Sequence, residues 1–208
     1  MTKHLKSDRK EYRTQTQPRK TWRSYLANCA LATIVTGLGL IFVFGFLLIK
    51  AYKIPTDSMK PSILIGDHII ALKLWDDQKL RRGDIIIFPL PTDKKKSFIK
   101  RVIGLPGEKL EIRQQQVYIN DRHLNEPYAL HTIPPTTKSA LSRDNFGPLA
   151  IPNGYVFVLG DNRENSFDSR MFGPLEIREI ERKVKIIYWS WSHEDEAVRW
   201  KRIGTIPE

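Results

Sequence analysis

Between Cys29 and Ile49 the chain runs for 21 residues without a charged side chain, CALATIVTGLGLIFVFGFLLI. At about 1.5 Å rise per residue a helix of this length covers about 31 Å, the thickness of a bilayer's hydrocarbon core. A core helix of a soluble domain would keep a polar face, and this run has none. A cleavable secretory signal has an apolar stretch of about 7–15 residues closing on a small-x-small site. Here the run is longer and is followed by Lys50-Ala51-Tyr52-Lys53. The segment predicts a retained transmembrane anchor over residues 26–49.

The flanks predict its direction. Residues 1–24 hold eight Lys and Arg against Asp8 and Glu11, so +6 of the chain's formal +11 lies in this tail. Lys and Arg next to a span resist translocation, which places residues 1–25 in the cytoplasm and residues 50–208 across the membrane. Trp22, Tyr25 and Tyr52 suit the two interfaces. The other +5 is spread over 184 residues, an ordinary value for a soluble domain, so the basicity is read as a topology signal and not as a nucleic-acid footprint. The partner it implies is the lipid bilayer. The single cysteine, Cys29, excludes an intrachain disulfide and a four-cysteine zinc site.

Beyond the anchor the text reads as short strands separated by turns. Candidate strands are His68–Lys73, Asp84–Pro89, Phe98–Ile103, Lys109–Arg113, Gln116–Ile119, Tyr155–Leu159 and Lys185–Trp191, each rich in β-branched or aromatic residues. Arg82-Gly83, Leu105-Pro106-Gly107 and Pro152-Asn153-Gly154 carry turn chemistry, and Asn120-Asp121 reads as a hairpin tip. Lys94-Lys95-Lys96 reads as a solvated loop. Residues 122–150, with four prolines between 126 and 150 and no clean period, read as a short extended excursion. The expected fold is mostly β: a coiled antiparallel sheet or open barrel behind one N-terminal transmembrane helix.

The chemistry is narrowed by what is missing. No HExxH, CxxC, Walker or GxGxxG pattern occurs, so no cofactor or metal site has support. The run Ser192-His193-Glu194-Asp195 puts triad residue types side by side, whereas triad members face each other from different segments. Ser97-Phe98-Ile99-Lys100 matches S-x-x-K, which needs one helical face; here it lies in a predicted strand, where positions three apart point to opposite faces. Lys100 remains notable as a lysine in an apolar strand. Ser58 lies just outside the span in Ile54-Pro55-Thr56-Asp57-Ser58-Met59-Lys60-Pro61, bracketed by two prolines that restrict its backbone. Gly160-Asp161-Asn162-Arg163-Glu164-Asn165-Ser166-Phe167-Asp168-Ser169-Arg170 packs five charges and two serines behind an apolar strand. Such density suits a charge-paired scaffold as well as a solvated loop.

In order along the chain, Pro55–Pro61, Gly66-Asp67 with Lys73, Arg82-Gly83-Asp84, Lys100–Gly107 and Gly160–Arg170 resemble the motifs of bacterial type I signal peptidase, the leader peptidase. The resemblance implies a membrane-anchored serine endopeptidase that removes signal peptides from exported preproteins after small residues. It implies Ser58 as nucleophile and Lys100 as general base, with Ser166 orienting the amine and Thr56 joining the Ser58 N–H in the oxyanion hole. Asp161, Arg101, Asp168 and Arg170 match structural ion pairs, and Ile54, Met59, Ile63, Phe98 and Ile99 match the lining of shallow substrate pockets. It further implies the inner membrane, an outward-facing catalytic domain and the export translocon as partner. Thr56 stands where the family varies among small residues, Ser62-Ile63 replaces Thr-Leu, Glu108 replaces aspartate, and the stretch from Lys100 to Gly160 is short. Two rivals remain at this level: another Ser–Lys protease of self-cleaving repressor type, which would carry a DNA-binding domain instead of an anchor, and a non-enzymatic membrane adaptor, for which Ser58 and Lys100 would be expendable.

Overall fold

The uncharged run folds as helix α1, Trp22–Leu48, in a computed structural model that describes residues 22–74, 80–90, 93–133 and 145–207. Leu31, Ile34, Val35, Leu38, Ile41 and Phe42 are all exposed, so the helix is apolar around its circumference, as a membrane span is. The Thr33 and Thr36 hydroxyls donate to the carbonyls of Cys29 and Ala32 at 2.9 and 2.8 Å, which satisfies them without water. The helix stops at Leu48, and Ile49 already opens a strand.

Residues from Gly45 onward form a separate compact unit. It contains β1 (Ile49–Lys53), β2 (Asp67–Lys73), β3 (Ile85–Leu90), β4 (Asp93–Gly104), β5 (Lys109–Arg113), β6 (Gln116–Ile119), β7 (Arg122–His123), β8 (Phe146–Ala150), β9 (Tyr155–Leu159), the short helix α2 (Ser169–Phe172), β10 (Leu175–Glu176), β11 (Arg182–Ser192) and β12 (Ala197–Val198). Among the described residues these strands make two antiparallel sheets. One has the order β1-β2-β11-β3-β4-β9-β10, with β12 beside β11; the other has the order β7-β6-β5-β8. The mostly-β antiparallel fold is the one that the strand chemistry predicts.

Three predicted strands, β5, β6 and β9, keep their bounds. Asn120 and Asp121 take φ of 50° and 65° and join β6 to β7, as their tolerance of the left-handed region predicts. Lys94-Lys95-Lys96 is a correction: it lies inside β4, not in a loop. The described side chains Lys94 and Lys96 are exposed, so the strand carries charge without burying it. Within the segment 122–150, Arg122–His123 and Phe146–Ala150 are the outer strands of the second sheet, and residues 134–144 lie outside the described set.

Both faces of β3 are buried, which explains its unbroken apolar text. Ile85 and Ile87 pack with Ile54, Met59, Ile63 and Ile69, while Ile86 and Phe88 pack with Val102, Val156 and Val158. A bulge in β4 between Val102 and Gly104 lets Ile103 join a third cluster with Leu110, Val117 and Phe157, at the second sheet. Lys100 thus lies in a strand paired on both sides, opposite Ile86 of β3 and next to Arg101, whose partner in β9 is Leu159.

Candidate active site

Ser58 sits in the turn that follows β1. That turn is tied down at several points: the Asn162 N–H donates to the Ser58 carbonyl at 3.1 Å, the Asn162 amide to the Asp57 carbonyl at 3.2 Å, and the Asn165 amide to the Asp57 carboxylate at 2.7 Å. Met59 and Ile63 pull the turn inward by burying in the core. Among the described residues the Ser58 N–H is committed to no acceptor.

The β4 register carries Lys100 to this turn. Its Nζ lies 2.9 Å from Ser58 Oγ and 3.0 Å from the Ile99 carbonyl, and 5.3 Å from the centre of the Phe98 ring. Lys100 is only 2% exposed. Burial disfavours the ammonium and lowers its pKa from 10.5 to about 8, against the opposing pull of Asp168 and Asp161 and with a small push from Arg170. The lysine is therefore about half neutral near pH 8, where an ordinary lysine is less than about 1% neutral.

Thr56, Ser58 and Lys100 open onto a cavity of about 510 Å³ that Ile54, Met59, Ile63, Phe98 and Ile99 also line. All five apolar positions singled out in the sequence therefore share one wall system with the serine and the lysine. Thr56 is exposed at this cavity.

The acidic and basic residues of Gly160–Arg170 other than Glu164 form buried pairs. Arg101 makes a two-point bridge to Asp161 at 2.8 and 2.7 Å, and also donates to Gly83 O and Ser62 Oγ. Asp168 accepts from Arg170 Nε and Nη2, both at 2.9 Å, and from the Gly160 N–H at 3.1 Å. Ser166 Oγ is buried and, among the described residues, makes no hydrogen bond to Lys100 or to any other group. It packs closely against Gly160, where an added Cβ would lie 2.6 Å from both Ser166 Cβ and the Ser58 carbonyl oxygen. That approach is what demands glycine at this position.

The sequence model of the family described as "Signal peptidase, peptidase S26" matches residues 26–189. The chain belongs to the signal peptidase family. Signal peptidase I of Bacillus caldolyticus is 35% identical over 176 residues, covering 82% of this chain and 90% of that protein. Signal peptidase IB of Staphylococcus aureus is 30% identical over 172 residues, covering 78% and 89%. A crystal structure of a signal peptidase I from Enterococcus faecalis, 36% identical, covers 51% of this chain and 97% of that one with a TM-score of 0.44. This signal peptidase is a signal-peptide-cleaving serine protease, and the non-enzymatic adaptor reading falls.

Sequence reasoning assigned no role to three features around Ser58 and Lys100. Asn162, read only as part of a motif, ties two backbone groups of the Ser58 turn. Asp67, fully buried, accepts from Arg202 at 2.6 Å and from the Ser190 hydroxyl at 2.6 Å, and Arg202 also holds the Ser62 carbonyl at 2.8 Å. Arg163 pairs with Glu126 at 2.6 Å. A partner 135 residues away in the chain leaves no local signal; only the isolated charges are legible.

Proposed function

We propose that Ser58 and Lys100 form a Ser–Lys dyad that hydrolyses the signal-peptide bond through an acyl-enzyme. The observation that carries it is the 2.9 Å approach of Nζ to Oγ in a buried setting that lowers the lysine pKa to about 8. Neutral Lys100 takes the Ser58 hydroxyl proton as Oγ attacks the scissile carbonyl carbon. The Ser58 N–H, with the Thr56 hydroxyl beside it, stabilises the oxyanion. Collapse breaks the C–N bond, and Lys100 gives its proton to the leaving amine. Water then loses a proton to Lys100 and attacks the ester, and the returned proton regenerates Ser58.

Ser166 acts as the orienting hydroxyl, turning to the Lys100 amine when substrate closes the site. Its support is a buried Oγ with unused hydrogen-bonding capacity. Asp161–Arg101 and Asp168–Arg170 act as scaffold. The substrate lies extended along a sheet edge, with small side chains before the cleaved bond in the pockets of Ile54, Met59, Ile63, Phe98 and Ile99. Helix α1 anchors the protein in the bacterial inner membrane with residues 1–25 in the cytoplasm and the catalytic unit outside, where it meets preproteins leaving the export translocon. This reading rests on the apolar helix and the +6 tail.

The test is processing of a purified preprotein by the detergent-solubilised full chain. Ser58→Ala and Lys100→Ala are expected to abolish cleavage while keeping a wild-type β-sheet circular dichroism spectrum. Normal processing by either variant would overturn the dyad.

A further inference from the structure

The segment Glu126–Leu130 belongs to no strand of the main sheet, yet it holds the run that leads to Ser166 at three points. Glu126 bridges Arg163 at 2.6 and 3.2 Å, and the two side chains are 6% and 3% exposed. Arg163 in turn donates to the Gly160 carbonyl at 3.1 Å, the residue against which Ser166 packs. The Leu130 N–H donates to the Asp161 carbonyl at 2.7 Å, and the Leu130 carbonyl accepts from the Arg163 N–H at 3.0 Å. The Tyr128 ring lies 4.0 Å from the Arg101 guanidinium, which is bonded to Asp161 and adjoins Lys100 in β4. The Tyr128 hydroxyl also donates to Glu126 at 3.3 Å, so the brace is linked to itself.

We infer that Glu126 and Tyr128 are positioning residues for the peptidase reaction: they hold Arg163 and Arg101 from behind and so set the Gly160–Ser166 run against Lys100 and Ser58. Neither residue lines the substrate cavity. Losing the brace therefore shifts the reacting groups without altering the groups that bind substrate. Misplacement of catalytic groups by about 1 Å costs up to ~100-fold in rate. The inference rests on the Ser58–Lys100 reading.

The experiment measures kcat and KM separately for the detergent-solubilised full chain on a signal-peptide substrate, with kcat/KM followed against pH and melting recorded alongside. Glu126→Gln removes the charge at nearly constant volume and is expected to lower kcat by about 10- to 100-fold at unchanged KM. Tyr128→Leu, which removes the ring over Arg101, behaves alike, whereas Tyr128→Phe keeps the ring and stays within about 3-fold of wild type. In Glu126→Gln and Tyr128→Leu the acidic limb of kcat/KM moves as Lys100 is displaced relative to Asp161 and Asp168, whereas in Tyr128→Phe it stays at the wild-type position. Glu126→Gln combined with Ser166→Ala falls no further than Ser166→Ala alone, because both act through one run. Wild-type kcat in folded Glu126→Gln, a loss confined to KM, or multiplying losses in the double variant would overturn the inference. If Glu126→Gln does not fold, Tyr128→Leu decides in the same way, with wild-type kcat overturning it. Activity surviving in Ser58→Ala would instead bring down the dyad reading, so the two failures are distinct.

Discussion

Replacing Lys100 by methionine is expected to destroy activity and stabilise the fold at the same time. The side chain is 2% exposed and its folded pKa is about 8 instead of 10.5. The unfolded chain therefore binds the proton more tightly than the folded one across that interval. As pH falls from about 10.5 to about 8 the wild type loses stability, and below about 8 it loses no more. A shift of roughly 2.5 units corresponds to about 3 kcal/mol, of which about 1 kcal/mol persists near pH 9.5. Methionine has similar length and no proton to bind, so Lys100→Met should gain up to about 3 kcal/mol near pH 7 and about 1 kcal/mol near pH 9.5. The assay is urea unfolding of the detergent-solubilised chain at both pH values, read by tryptophan fluorescence. A methionine variant no more stable than wild type at about pH 7, or a gain that does not shrink with pH, would refute the burial argument.

The acidic limb of kcat/KM should fall near pH 8, where Lys100 titrates. Asp168→Asn removes the larger of the two charges that raise this pKa, so the limb should move to lower pH while loss of the buried Arg170 partner costs about 3–5 kcal/mol in unfolding titrations; a limb moving upward would contradict the sign. Gly160→Ala forces a methyl group onto Ser166 Oγ and the Ser58 carbonyl and should cost about 1–3 kcal/mol together with most of kcat, measured by melting and by cleavage kinetics; wild-type values for both would refute the close approach. For topology, protease added to intact spheroplasts should digest residues 50–208 and spare residues 1–24, and protection of the large unit would reverse the assigned orientation.

The apolar N-terminal helix was legible because its signal is local: a run of 21 uncharged residues marks it without knowledge of any contact. Strands β5, β6 and β9 were legible for a similar reason, since the alternation of β5 and β6, the unbroken apolar run of β9 and their turns are written within a few residues. The tip at Asn120-Asp121 needs nothing beyond two side chains that tolerate positive φ. The ordered motifs were enough to imply the family, and the oddity of a lysine in an apolar strand pointed at Lys100.

Tertiary structure decided what depends on pairing across distance. Ile49 is as apolar as the helix before it, and hydropathy cannot mark the point where its backbone turns to pair with Leu72 of β2. Lys94-Lys95-Lys96 looks solvated because its side chains are charged, yet strand membership is set by backbone hydrogen bonds to a neighbour that local composition does not name. Ser58 and Lys100 are 42 positions apart, and the depressed pKa arises only when the β4 register buries the amine beside that hydroxyl. Glu126 and Arg163, or Asp67 and Arg202, are ordinary charges until the chain returns to bury them together. Desolvation and opposite-charge attraction act through space, so their partners are specified by the fold and not by the order of residues.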